Sequence, residues 1–256
     1  MTESPLPFEP RVALASLSGQ SDAAWARAGA EHAGCAFLGG IALDEPTRAA
    51  AREMVADRDR EEFLPADPYR FVRDQLRALA DVPIRPAVNV RSTTLVPIEE
   101  VADLCRDHGA IVEINAHCRQ DEMCEVNAGE ALLGQPGKLA KQVEAAAATG
   151  ATVSVKVRTE VPGVDLPDLA ARLDRAGADA VHVDAMDSEP VVGAVADATD
   201  LFVVANNGVR DAATVREYLD YGADAVSVGR PSDDPDVLAA VRAAVDEWFR
   251  QREVSP

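Results

Sequence analysis

Eight short apolar runs, separated by stretches of helical character, constrain this chain more than any other feature. The runs are 11–17 (RVALASL), 35–41 (CAFLGGI), 84–90 (IRPAVNV), 111–117 (IVEINAH), 152–158 (TVSVKVR), 179–185 (DAVHVDA), 201–206 (LFVVAN) and 224–229 (DAVSVG). Helical patterns lie between them at 99–107, 138–148, 166–175, 212–220 and 235–250. Gly109, Gly150, Gly177 and Gly222 each precede a strand, as expected where helices end. Such alternation predicts an α/β chain folded as a single (β/α)8 TIM barrel over 11–250, with 1–10 as an N-terminal arm and 251–256 as a tail. A doubly wound open sheet is the alternative. Its first βα turn is expected to carry a phosphate-binding glycine fingerprint, and SLSGQSD does not match one.

Composition narrows the class. With 256 residues, 47% of them hydrophobic and 27% charged, the chain reads as a packed globular protein, not a disordered or collagen-like one. No apolar run reaches the length of a membrane span. The start, MTESPLPFEPR, lacks the basic patch and apolar core of a signal peptide, so a cytoplasmic protein is expected. Cys35, Cys105, Cys118 and Cys124 are too few in so long a chain to suggest a disulfide framework. The net charge is −19, from 44 acidic and 25 basic residues, and only Lys138, Lys141 and Lys156 are lysine. That charge fits either a protein with no nucleic-acid partner or one adapted to a salt-rich cytoplasm, where screening shortens the repulsion.

Face alternation places polar groups inside the predicted barrel. Asn89 and Arg91 share one face of strand 3, Glu113, Asn115 and His117 one face of strand 4, Ser154, Lys156 and Arg158 one face of strand 5, and His182 and Asp184 one face of strand 6. Valines fill the opposite faces, which pack on the outer helices. Four successive strands pointing polar groups inward near their C-terminal ends describe a site at the barrel mouth. The competing reading is a core satisfied by its own ion pairs, Glu113 with Lys156 or Arg158. Two connections are long. Residues 42–83 read as helix, turn and helix, and 118–137 follow strand 4. Long connections after barrel strands tend to be functional.

Strand 7 runs into Asn206-Asn207-Gly208-Val209-Arg210 and strand 8 into Gly229-Arg230-Pro231-Ser232. Paired glycine turns in these positions point to a phosphate site, to which Arg230 adds a charged fork. A phosphate there, with Lys156 and His182 inside the barrel, suits flavin mononucleotide (FMN), since a lysine near the N1–C2=O edge stabilises an anionic reduced flavin. Cys118, just past strand 4, has the position of a proton donor or acceptor, and equally that of a small buried hydrophobe. A zinc site from His117, Cys118 and Cys124 matches no common spacing and is not expected.

VEINAHCRQ (112–120), NAGEALLGQPGKL (127–139), VSVKVR (153–158), AVHVDA (180–185), VVANNGVRD (203–211) and DAVSVGRPS (224–232) together resemble the dihydrouridine synthase family, FMN-dependent barrels that reduce uridine in tRNA. The resemblance spans about residues 10–245 and implies roles for individual residues. Ala15, Ser16 and Leu17 would line the flavin. Asn89 stands where the family has a flavin-contacting glutamine. Asn115, with Arg119 and Arg158, would contact substrate. Cys118 would protonate C5 of the pyrimidine while flavin N5 delivers hydride to C6. Lys156 and His182 would contact the flavin and its phosphate, and Asn206, Gly208, Gly229 and Arg230 would hold the phosphate region.

The chain departs from the family at His117-Cys118-Arg119, where Gly-Cys-Pro is usual, and at Val183-Asp184-Ala185-Met186-Asp187, where a basic stretch is usual. The C-terminal helical domain with which the family holds tRNA is not expected after residue 250. Dihydroorotate dehydrogenases are similar in architecture, so a small pyrimidine is the alternative substrate. NAD(P)H is the candidate electron donor, and a flavin- or phosphate-binding barrel without turnover is a third reading.

Overall fold

The computed structural model describes residues 8–57 and 61–253. Its strands close in sequence order, each parallel to the next and β8 (Ala225–Val228) paired with β1 (Val12–Leu14). Between them come β2 (Cys35–Ala42), β3 (Arg85–Arg91), β4 (Ile111–Asn115), β5 (Thr152–Arg158), β6 (Ala180–Asp184) and β7 (Phe202–Asn206). The open-sheet alternative is thereby removed.

Helices clothe the barrel in the expected order. They include α2 (Glu45–Asp57) and α3 (Pro68–Ala78) in the long second connection, α4 (Val96–Asp107), α6 (Pro136–Ala148), α7 (Leu166–Arg175), α9 (Ala212–Asp220) and α10 (Pro235–Glu253). Three helices were not legible as patterns: α1 (Ala23–Gly29), α5 (Asp121–Glu125) and α8 (Val191–Ala198). The first two span only two turns or fewer, too short for an apolar stripe to repeat. Asp22, Asp67, Asp165 and Asp211 start α1, α3, α7 and α9 by accepting hydrogen bonds from first-turn N–H groups. Among the described residues, no helix is long and apolar enough to cross a membrane.

Two apolar layers follow from the period-2 pattern. Val88, Val112, Val153, Val155, Val181, Val203 and Val226 face outward and pack in one continuous core with the helices. Inside the barrel, Phe8, Ala13, Cys35, Phe37, Ala87, Ile111, Ala180, Phe202, Val204 and Ala225 form a separate plug. Phe8 meets Phe202 edge-on, with ring centroids 5.3 Å apart. Above this plug the interior turns polar. Register sets Asn115 opposite Lys156 and Lys156 opposite His182, and one step higher Arg158 opposite Asp184 and Asp184 opposite Asn206.

Strand 1 is shorter than its sequence suggests. The ladder ends at Leu14, and Ala15, Ser16 and Leu17 leave it to form the rim of the mouth. Ser21 holds that departure in place: its hydroxyl accepts from the Leu17 N–H at 2.9 Å and donates to the Gly39 carbonyl at 2.6 Å.

Candidate active site

A buried carboxylate organises the polar part of the interior. Glu113 is fully buried and accepts from Asn89 Nδ2 at 2.7 Å and from the Ser154 hydroxyl at 3.2 Å, and it bonds His182 Nδ1 at 2.8 Å. His182 Nε2 meets the Ser227 hydroxyl at 2.7 Å. Asn115 Nδ2 donates to Asn89 Oδ1 at 2.8 Å, which carries the network upward from β3 to the end of β4. Burial opposes ionisation of Glu113, but His182, Lys156 and Asn89 outweigh it and hold its carboxyl below the usual carboxylate range. The pKa of His182 is pushed down, mainly by the same burial.

The ion pairs of the competing reading are therefore not the ones found. Glu113 takes His182 and two neutral donors. Arg158 turns away from it to donate to Glu130 at 2.6 Å. Lys156 is 3% exposed and makes no hydrogen bond to a described residue, although Glu113 and Asp184 act on it electrostatically. Its ammonium borders the mouth of the barrel as a desolvated cation, and burial pushes its pKa down.

Two clefts of about 500 Å³ each open side by side at that mouth. The first is bounded by Ala15, Lys156, Asn206, Gly208, Gly229 and Pro231, so the turns after β7 and β8 share one cavity. Asn206 Nδ2 donates to the Ser227 carbonyl at 3.1 Å, and the Tyr218 hydroxyl donates to the Asn207 carbonyl at 2.8 Å, which ties both turns to the barrel. Gly208 has φ +68°, a conformation that a side chain would strain. The second cleft is bounded by Gln20, Arg91, Asn115, Cys118, Arg119 and Gln120. Ser16, Leu17, His117 and Arg230 line both.

The thiol is placed by main-chain contacts. Asn115 Oδ1 accepts the N–H groups of His117 at 3.1 Å and Cys118 at 2.9 Å, folding the chain sharply after β4. The Cys118 carbonyl accepts the Glu130 N–H at 2.9 Å, and Gly129 (φ +60°) lies so close that a Cβ there would come within 2.3 Å of that carbonyl. Ala50, Met54, Met123 and Ala128 pack around Cys118 and leave it 6% exposed.

Most of the residues singled out from the sequence thus converge, with three exceptions. Asn89 and His182 are expected to touch a cofactor, yet both are fully buried one layer below the clefts, bonded to Asn115 and Glu113. Arg158 lines a different cleft, beside Thr159, Val164 and Leu166. Among the described residues no three of His, Cys, Asp or Glu gather to hold a metal ion. His117 is paired with Asp184, and the Cys124 thiol points to the Cys118 carbonyl at 3.6 Å.

Other residues of the site were not read from the sequence. Arg91, in the wall of the second cleft, forms an ion pair with Glu62 at 2.8 Å, with side chains 2% and 1% exposed. The pair joins β3 to the segment after α2 across 29 residues, a distance no local pattern reveals. Asn207 Nδ2 donates to Asp184 at 2.9 Å, and this also escaped the sequence.

The family model for dihydrouridine synthase matches residues 86–254, nearly two thirds of the chain. The chain belongs to the dihydrouridine synthase family. With that membership comes the class of chemistry, that of a flavin-dependent oxidoreductase. A probable tRNA-dihydrouridine synthase of Rhodobacter capsulatus is 29% identical over 256 aligned residues, covering 94% of this chain and 73% of that protein. An uncharacterised protein of Methanocaldococcus jannaschii is 26% identical, covering 87% of this chain and 89% of its own. Among solved structures, morphinone reductase in complex with tetrahydroNAD superposes with a TM-score of 0.64 over 92% of this chain and 87% of its own, at 15% identity. That likeness is one of fold.

Proposed function

We propose that this chain is an FMN-dependent reductase of the C5=C6 bond of uridine in tRNA. Lys156 carries the reading. A lysine 3% exposed, whose ammonium has no hydrogen-bond partner among the described residues and borders a cleft floored by two turns, calls for an electron-rich ligand. The residues present fit FMN. Gly208, Gly229 and Arg230 would take its phosphate, Ala15, Ser16 and Leu17 would flank its ring, and Lys156 would face the ring edge where negative charge collects. When bound, the flavin supplies the hydride.

The chain's own groups do the rest. Asn115 orients the turn that carries Cys118, and the Cys118 thiol donates a proton to the pyrimidine carbon next to the one reduced. Arg119, exposed on the rim of the same cleft, would meet the substrate as it enters. Glu113 fixes His182 and Asn89 beneath the site and acts through them. The family and the Rhodobacter relative favour tRNA as the substrate.

A second reading, a free pyrimidine as substrate, is favoured by the charge of −19, which opposes polyanion binding at moderate salt. One assay tests both. Protein loaded with FMN is reduced without oxygen and mixed, at high salt, with unmodified tRNA or with free pyrimidines. Faster reoxidation by tRNA is expected. Reoxidation by free pyrimidines alone selects the second reading, and a colourless protein that takes up no added FMN overturns both.

A further inference from the structure

His117 stands where the family usually has glycine, and its surroundings are those of a working imidazole. One ring nitrogen, Nε2, is bonded to the Asp184 carboxylate. Asp184 is held in turn by Asn207 Nδ2 at 2.9 Å, and its own carboxyl lies well below the usual range despite burial, mainly through His117. The other nitrogen, Nδ1, makes no hydrogen bond to a described residue. The side chain is 31% exposed and lines both clefts, the one that Cys118 borders and the one that Lys156 borders. Asn115 Oδ1 pins the N–H groups of His117 and Cys118 together, and both residues line the second cleft.

We propose that His117 and Asp184 form a dyad that carries protons to and from the Cys118 thiol. This rests on the reading of Cys118 given above. Asp184 fixes the neutral ring with its hydrogen on Nε2, so that Nδ1 presents a lone pair to the cleft; Asp184 is a positioning residue, as the carboxylate is in other carboxylate–histidine pairs. In the reductive direction the Cys118 S–H bond breaks as a C–H bond forms on the substrate carbon, and sulfur keeps the electron pair as thiolate. His117, protonated at Nδ1 from solvent, gives that proton to sulfur and returns to the neutral ring. The adjacent carbon takes hydride from the reduced flavin, which is the species oxidised.

The charges around the ring suit a proton that does not linger. Lys156 and Arg158 from β5 oppose a positive charge on His117 and Asp184 from β6 favours one, while His182 from β6 and Arg230 after β8 are other titratable groups on neighbouring elements. Burial adds to the opposition, and the pKa of His117 lies below its ordinary value. At neutral pH the ring is free to accept.

The thiol itself reports on the dyad. In flavin-loaded protein, Cys118 is alkylated with iodoacetamide between about pH 5 and 10 and followed by peptide mass spectrometry, with Cys124 as an internal reference. His117→Gln is expected to slow alkylation of Cys118 at neutral pH by about 10-fold and to move the profile about one unit toward alkaline pH. Asp184→Asn is expected to shift it in the same direction by less. A Cys118 profile unchanged by His117→Gln overturns the proposal. His117→Ala, checked for retained flavin, opens space for added imidazole. Faster Cys118 alkylation with imidazole supports the dyad, and none in the folded variant counts against it. Cys118→Ala separates the two claims. If that variant is reoxidised by substrate at the wild-type rate, the catalytic reading of the thiol fails, while alkylation of the native thiol still decides the dyad.

Discussion

The two clefts at the barrel mouth are built from different materials. The one beside Lys156 is floored by the ends of β7 and β8, where short turns offer main-chain groups and Gly208 takes a left-handed conformation. The one beside Cys118 is walled by side chains brought from far apart, such as Arg91 on β3 and Glu61 after α2. A site that grips an anion can use backbone N–H groups, which any sequence supplies if glycine permits the turn. A site that chooses and protonates a substrate needs particular side chains in particular places. On the function proposed above, the first cleft would hold the cofactor and the second would react, and His117 lines both.

Single substitutions ought to respect that division. Cys118→Ala is the largest expected effect. Substrate-dependent reoxidation of the reduced flavin slows by about 10²–10⁴-fold, the scale for a positioned acid, while bound flavin is retained. Stopped-flow absorbance reads the rate, and loss of flavin from this variant would break the division. Lys156→Ala is expected to do the reverse. Removing a charged hydrogen-bond donor weakens FMN binding by about 10–100-fold. Equilibrium dialysis measures the affinity, and tight FMN binding by this variant would remove Lys156 from the holding cleft. Tyr218→Phe is the smallest. It deletes the hydroxyl that donates to Asn207, costs about 1 kcal/mol of stability in urea unfolding, and loosens only the phosphate side. Equal loosening of the thiol side would mean that the two clefts are one unit.

The same contrast explains what could be read in advance. The barrel was legible because valine alternation and helix-ending glycines are local signals that recur along the chain. The two turns that line the first cleft were legible in Asn206, Gly208, Gly229 and Arg230, since turns leave residues of special conformation in the sequence. Alternation also placed Asn89 and His182 inside the barrel correctly. It did not tell their depth, because period 2 assigns a face and not a layer. Arg158 shares the inward face of β5 with Lys156, yet Glu130, from the connection after β4, draws it to another cleft. The pairing of His117 with Asp184 lies 67 residues apart and was invisible for the same reason.

By itself, then, the sequence determined the architecture, the outward and inward faces of each strand, and the two glycine turns, all of them consequences of local geometry and periodic burial. Only the tertiary structure decided which inward groups pair. It gave Glu113 to His182 rather than to Lys156, left the lysine ammonium without a hydrogen bond to a described residue, and set an imidazole against a carboxylate beside the thiol. Partners of that kind are chosen by distance and desolvation across a closed barrel, and those quantities exist only once all eight strands have met.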